Sequence, residues 1–174
     1  MFRGGADAKI DAKGRLKVPT KFREPLLSNF GPDVFLTSFG PPSMRIYPIS
    51  EWIKIEKALR SGYWGDDPRV SHFLRTVAVH GDEQSVDSQG RLFIHKRLRK
   101  HTRMEGEVVV LGHPTNLLEV WNEKLLEEVE AGEPLNEETI RFVSGVIREA
   151  MDEDGKPPRP GDGPGSGGGP RNKA

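Results

Sequence analysis

The sequence predicts an α+β fold, mainly β, in which two copies of one small unit form an intramolecular pair around a shared core. Three observations lead there. The stretch DAKGRLKVP beginning at Asp11 and the stretch DSQGRLFIH beginning at Asp87 share Asp-x-x-Gly-Arg followed by an apolar, any and an apolar residue. The spacing of 76 holds from Ile10/Val86 through Gly14/Gly90, Leu16/Leu92 and Phe22/Leu98 to Arg23/Arg99, and an internal repeat outweighs any local signal in deciding a fold. Finally, each copy has only about 45 residues, too few to bury much apolar area alone. Two copies in one chain can interleave strands and share a core.

Each unit opens with a short strand, Ala8–Ile10 or Gln84–Val86, that runs into a glycine turn. Gly14 and Gly90 supply the backbone angles such a turn needs. The alternation Arg15-Leu16-Lys17-Val18, or Arg91-Leu92-Phe93-Ile94, predicts a second strand. Pro19 then opens a short helix as its first residue, with Phe22 and Leu26 toward the core; His95 replaces that proline in the second copy. Two residues drop out of copy two, after which Val34-Phe35-Leu36 answers Val108-Val109-Val110 and Ile46-Tyr47 answers Val120-Trp121. These runs predict strands at Val34–Phe39 and Met44–Tyr47, and at Val108–Gly112 and Leu117–Trp121. Helices Ser50–Arg60 and Glu123–Ala131 close the units. Asp67–His80 reads as a connecting helix with Val70, Phe73, Leu74 and Val77 on one side. Asn136–Met151 reads as a last helix.

The expected division is a first unit at 7–53, a connecting helical segment at 54–81, a second unit at 82–125, a C-terminal helical segment at 126–152 and a Gly/Pro-rich tail at 153–174. The tail, with GKPPRPGDGPGSGGGPRNKA at its end, has almost nothing apolar to bury and is expected to be disordered.

The chain carries 26 basic and 26 acidic residues and no cysteine. Disulfides, thiolate metal sites and cysteine nucleophiles are therefore excluded. No apolar run reaches the roughly 18–20 residues that span a bilayer, and MFRGGADAKID lacks a signal-peptide centre; the expectation is a cytoplasmic protein. The charge is not evenly spread. Arg3, Lys9, Lys13, Arg15, Lys17, Lys21 and Arg23 crowd the first copy, and Arg91, Lys96, Arg97, Arg99, Lys100 and Arg103 the second, while acid gathers in Glu119–Glu138. Such blocks suggest a basic face for an anionic partner.

Strands explain the apolar positions and the turn explains glycine; neither explains the arginine. An arginine just after a tight turn projects from the rim of a sheet. An aspartate four residues earlier lies across the hairpin and can hold it, and a fixed planar guanidinium suits guanine O6/N7 or a phosphate. Lys13 and Gln89 occupy equivalent places in the two turns. The alternative is a surface hairpin with one exposed ion pair, of little energetic weight; repetition of Asp, Gly and Arg in two otherwise divergent halves speaks against it.

MFRG, DAKGRLKVPTKFRE, DSQGRLFI and LLEVWNEK together resemble the MraZ family of the SpoVT/AbrB-like superfamily, over about Met1 to Glu149. The resemblance implies two SpoVT/AbrB-like swapped-hairpin units forming a pseudo-twofold pair with peripheral helices. It implies a bacterial transcriptional regulator that assembles into rings at the nucleoid and binds repeated double-stranded DNA elements upstream of a cell-division and cell-wall gene cluster. The family's doubled DNA-binding motif falls on Asp11/Arg15 and Asp87/Arg91. The expected DNA-binding residues are thus Asp11, Lys13, Gly14, Arg15, Asp87, Gln89, Gly90 and Arg91, with Arg3, Lys9, Lys17, Lys96 and Arg97 as basic support.

Other classes find less support. Among the five histidines no H-E-x-x-H or comparable ligand pair occurs, and no phosphate-binding glycine loop is present; no enzyme, metal or cofactor is expected. An antitoxin-like interaction module using the acidic helix 136–151 is the alternative reading. Tyr47, Trp52 and Trp121 read as core or subunit contacts rather than base-stacking platforms.

Overall fold

The computed structural model describes residues 1–60 and 67–154. The chain forms two compact units, Met1–Gly132 and Glu133–Ala174. In the first, β1 (Gly5–Ile10) and β2 (Arg15–Lys17) lead to α1 (Thr20–Asn29), β3 (Asp33–Thr37), β4 (Ser43–Pro48) and α2 (Ile49–Arg60). Then come α3 (Pro68–His80), β5 (Asp82–Ser85), β6 (Arg91–Phe93), α4 (Lys96–Thr102), β7 (Gly106–His113), β8 (Leu117–Asn122) and α5 (Glu123–Gly132). The second unit contains α6 (Glu137–Asp154), whose first N–H groups are capped by Asn136 Oδ1, accepting from Thr139 at 2.8 Å. The tail expected beyond Asp154 lies outside the described residues.

Among the described residues the strands form one antiparallel sheet of eight, in the order β5-β3-β4-β8-β7-β1-β2-β6. Its two edges meet where Asp87 N–H donates to Arg91 O at 2.9 Å, so the sheet is nearly a closed barrel. The fold is α+β and mainly β, as the sequence predicts. The interleaving is complete: β1 pairs with β7, β2 with β6, β3 with β5, and β4 with β8. Exchanging β1–β4 for β5–β8 returns the same cyclic order. The axis of this exchange passes through two antiparallel pairs, Leu16 opposite Leu92 and Arg45 opposite Glu119. Each hairpin is therefore inserted between strands of the other copy.

Alternation explains what points inward. Leu16, Leu36, Met44, Leu92, Val110 and Val120 are fully buried in the barrel. A second cluster lies where α2 and α3 cover β3 and β4, built from Tyr47, Trp52, Val77 and Leu117, with Phe35 stacked on Trp52 at 4.3 Å. β1 begins at Gly5 rather than Ala8, because its pairing with β7 runs the whole way from Gly5/Leu111 to Ile10/Gly106 while Asp7 and Lys9 face outward. Pro19, expected as the first helical residue, instead precedes α1 as its N-cap at φ −55° and ψ 138°. Its fixed φ fits an extended cap as well as a helix, and its carbonyl accepts from Phe22 and Arg23 N–H. His95 takes the same place before α4, where its Nδ1 accepts from Leu98 N–H at 3.3 Å. That cap explains how histidine replaces proline without loss of the helix start.

Candidate nucleic-acid interface

Both Asp-x-x-Gly-Arg turns are built by one set of bonds. Asp11 Oδ1 accepts from Lys13 N–H and Arg15 N–H, each at 2.9 Å, and Oδ2 accepts from Arg15 Nε at 2.8 Å. Asp87 Oδ1 accepts from Gln89 N–H and Arg91 N–H, each at 2.9 Å, and Oδ2 accepts from Arg91 Nε at 2.8 Å. Gly14 N–H donates to Asp11 O and Gly90 N–H to Asp87 O, both at 2.8 Å. The aspartate thus closes the turn and holds the arginine side chain at once. Hydrogen bonds favour the charged carboxylate. The Arg15 backbone N–H, and to a smaller extent its guanidinium and Lys13 N–H, hold Asp11 below the usual carboxylate value. Arg91 and Gln89 do the same for Asp87. The ion pairs are about one-third exposed, with Arg15 at 32% and Arg91 at 27%. Each guanidinium is positioned by its turn yet reachable from solvent.

The two turns are also tied to each other. Val18 N–H donates to Gly90 O at 2.9 Å and Ile94 N–H to Gly14 O at 2.8 Å, so each turn is fixed by the strand of the other copy. Gly14 and Gly90 sit at φ +81° and +75°, and both are buried. A Cβ on Gly14 would lie 2.7 Å from Arg99 Nε, and one on Gly90 2.6 Å from Arg23 Nη1. The left-handed backbone requires glycine at both places, and an arginine crossing from the helix of the other copy fills the space a Cβ would take. Arg99 Nε also donates to Ile94 O at 3.0 Å.

The predicted residues are gathered unevenly. Arg15, Lys17 and Arg91 share the outward face of the β2–β6 ribbon, whose register sets Arg15 opposite Phe93 and Lys17 opposite Arg91. Lys13 and Gln89 are exposed at the turn tips, and Lys96 and Arg97 on the first turn of α4. Lys9 lies on the outer face of β1, bonded at 2.7 Å to Glu107 across the strand pair. Arg3 precedes the far end of β1, roughly 17 Å of strand away from the turn. Sequence reasoning left Arg23 and Arg99 out of the site. Their repetition at the same spacing as the turn residues was the signal that pointed to them. Among the described residues no group of three or more ligating side chains could hold a metal ion, and no helix is long and apolar enough to cross a membrane.

A family model described as "MraZ protein, putative antitoxin-like" matches residues 1–62 and 77–141. The chain belongs to the MraZ family. Similar proteins named "Transcriptional regulator MraZ" include one of Acidobacterium capsulatum, 34% identical over 128 residues covering 74% of this chain and 86% of the relative. Another, of Haemophilus influenzae, is 31% identical over 138 residues, 76% of this chain and 90% of the relative. One of Escherichia coli O127:H6 is 37% identical over 124 residues, 71% of this chain and 80% of the relative. Both stretches matched by the MraZ model include one of the two turns.

Proposed function

We propose that the chain is a sequence-specific, double-stranded DNA-binding regulator of transcription that reads DNA with its two Asp-x-x-Gly-Arg turns. The observation that carries this is the doubled turn: the same five hydrogen bonds hold an accessible arginine in both copies. Lys13, Gln89, Lys17, Lys96 and Arg97 add phosphate contacts, which supply salt-dependent affinity while the arginines supply discrimination. One turn has little contact area. Several, carried on a ring-like homo-oligomer at the nucleoid and facing successive promoter repeats, bind tightly through effective concentration. A ring on its promoter repeats then represses a cell-division and cell-wall gene cluster.

Fluorescence anisotropy at fixed salt tests this, with the duplex upstream of the chain's own coding sequence against a shuffled duplex. Arg15→Ala is expected to remove the preference for the native duplex, and Arg91→Ala to show whether both copies read. An array of repeats is expected to bind far more tightly than one. Equal binding by wild type and both variants would refute the reading.

A second reading rests on α6, which exposes Ile140, Phe142, Val143, Val146 and Ile147 behind an acidic first turn of Glu137 and Glu138. In an antitoxin-like module this face would bind a protein partner. A chain that ignores its upstream DNA but loses a co-purifying partner when residues 133–174 are removed would favour it.

A further inference from the structure

The β2–β6 ribbon presents to solvent a face that the two turns alone do not explain. Leu16 and Leu92 point into the barrel with 0% exposure, so Arg15, Lys17, Arg91 and Phe93 point out. Three are cations. The fourth, Phe93, is 45% exposed, directly opposite Arg15 and diagonal to Lys17. The copies differ here at one place on that face: Lys17 in the first is Phe93 in the second. At 45% exposure the ring leaves apolar surface hydrated that a partner could cover. Opposed residues in an antiparallel pair lie about 5 Å apart at Cβ, so whatever anionic surface the arginines meet also meets this ring.

A two-stranded ribbon is of a width that the major groove of B-DNA admits, and there only thymine presents a methyl group. Phosphates and guanine edges suit the three cations; the thymine methyl suits the ring. We propose that Phe93 is a specificity-determining residue that packs on a thymine 5-methyl group in the major groove, giving the second copy a base contact the first copy lacks. This rests on the DNA-binding reading above. Its consequence is that the two half-elements read by one chain are not equivalent: the half under β6 favours thymine at one position, and the half under β2, where Lys17 stands, does not.

Replacing thymine by deoxyuridine, one position at a time, in the upstream duplex removes the methyl and nothing else. Wild type is expected to lose about four-fold in affinity at one position, the worth of roughly one buried methyl. Phe93→Lys, which copies the first unit, is expected to bind with undiminished salt dependence but to ignore that substitution. Phe93→Leu is expected to retain part of the discrimination. Each variant is checked for wild-type unfolding and wild-type mass in solution. Binding that depends on Arg15 but is indifferent to every deoxyuridine, or a Phe93→Lys variant that still discriminates, would overturn the inference and leave the turn reading standing. A change in assembly mass on Phe93→Lys would also overturn it, placing the ring in a contact between copies. Loss of the inference together with its foundation would show differently: Arg15→Ala and Arg91→Ala would bind as wild type does.

Discussion

Gly14→Ala probes the tie between the two copies, and its cost can be worked from the structure. The residue sits at φ +81°, where an L side chain costs about 1–2 kcal/mol. The new Cβ would also lie 2.7 Å from Arg99 Nε and 2.8 Å from its Cζ, so the guanidinium must withdraw. Its hydrogen bond to Ile94 O at 3.0 Å goes with it. A bond to a charged donor contributes about 1.5–3 kcal/mol, and partial exposure of Arg99 puts this one at the low end. The sum is about 2.5–3.5 kcal/mol. Gly31→Ala is the matched control, since Gly31 has φ +88° and nothing within 4 Å of its added Cβ. It should cost only the backbone part, about 1–2 kcal/mol. Urea unfolding followed by fluorescence of the buried Trp52 measures both. The double variant Gly14→Ala/Arg99→Ala should be less destabilised than the sum of its single variants by about 1 kcal/mol or more, because one side chain can clash only once. Equal losses for Gly14→Ala and Gly31→Ala, with additive behaviour in the double variant, would refute the claim that Arg99 braces the opposite turn.

Other outcomes follow from the same geometry. His80 stacks on His101 at 3.8 Å, and burial, His101, Arg97 and His95 lower its pKa below 6.5; a depressed histidine leaves stability intact above 6.5 and erodes it as pH falls below that value. The urea midpoint should therefore drop between pH 7.5 and 5.5, and less so in His80→Phe; an unchanged slope in that variant would count against the stacked pair as the cause. Hydrogen bonds from the turn hold Asp11 and Asp87 below the ordinary carboxylate value of 3.8, so their contribution is present above that value and lost as pH falls through their lower native values. The double variant Asp11→Asn/Asp87→Asn should be less stable at neutral pH and show a shallower acid transition by circular dichroism. Trp52→Ala, removing a side chain 3% exposed and stacked on Phe35, should cost about 3–5 kcal/mol in thermal or urea unfolding. In DNA titrations Lys17→Ala should reduce the slope of log K against log salt by about one while leaving sequence preference intact; a lost preference with an unchanged slope would contradict its role as a phosphate contact.

How much of this was legible in the sequence depends on the range over which each feature is specified. The Asp11–Arg15 and Asp87–Arg91 pairs lie within one hairpin, so the turn itself dictates them. The strands could be read because the aliphatic residues Leu16, Val18, Leu92 and Ile94 recur at every second position. The interleaving was accessible only as a physical need, the shortage of core in a small unit; the pairing of β1 with β7 and β2 with β6 is set by contacts far apart in the chain. Distance along the chain also hid the crossing of Arg23 and Arg99 over the opposite glycines. Lys9 shows what a local view leaves out. It belongs to a basic run in sequence, yet pairing with β7 sets it beside Glu107. His95 looked like a departure from a proline pattern because its capping bond, Nδ1 accepting from Leu98 N–H, shows only once the ring is placed at the start of α4.

The pairing of Arg45 with Glu119, at 3.6 Å on the internal axis, bears on why both copies belong to one chain. On a true twofold axis a residue faces itself. Two first copies associating with each other would set arginine against arginine there, and two second copies would set glutamate against glutamate. Joined in one polypeptide, the halves are free to differ at the axis, and the difference becomes an attraction. The covalent link thus does more than raise local concentration. It lets one position encode which half belongs with which, and it penalises exchange of like halves between neighbouring molecules while their barrels are still forming.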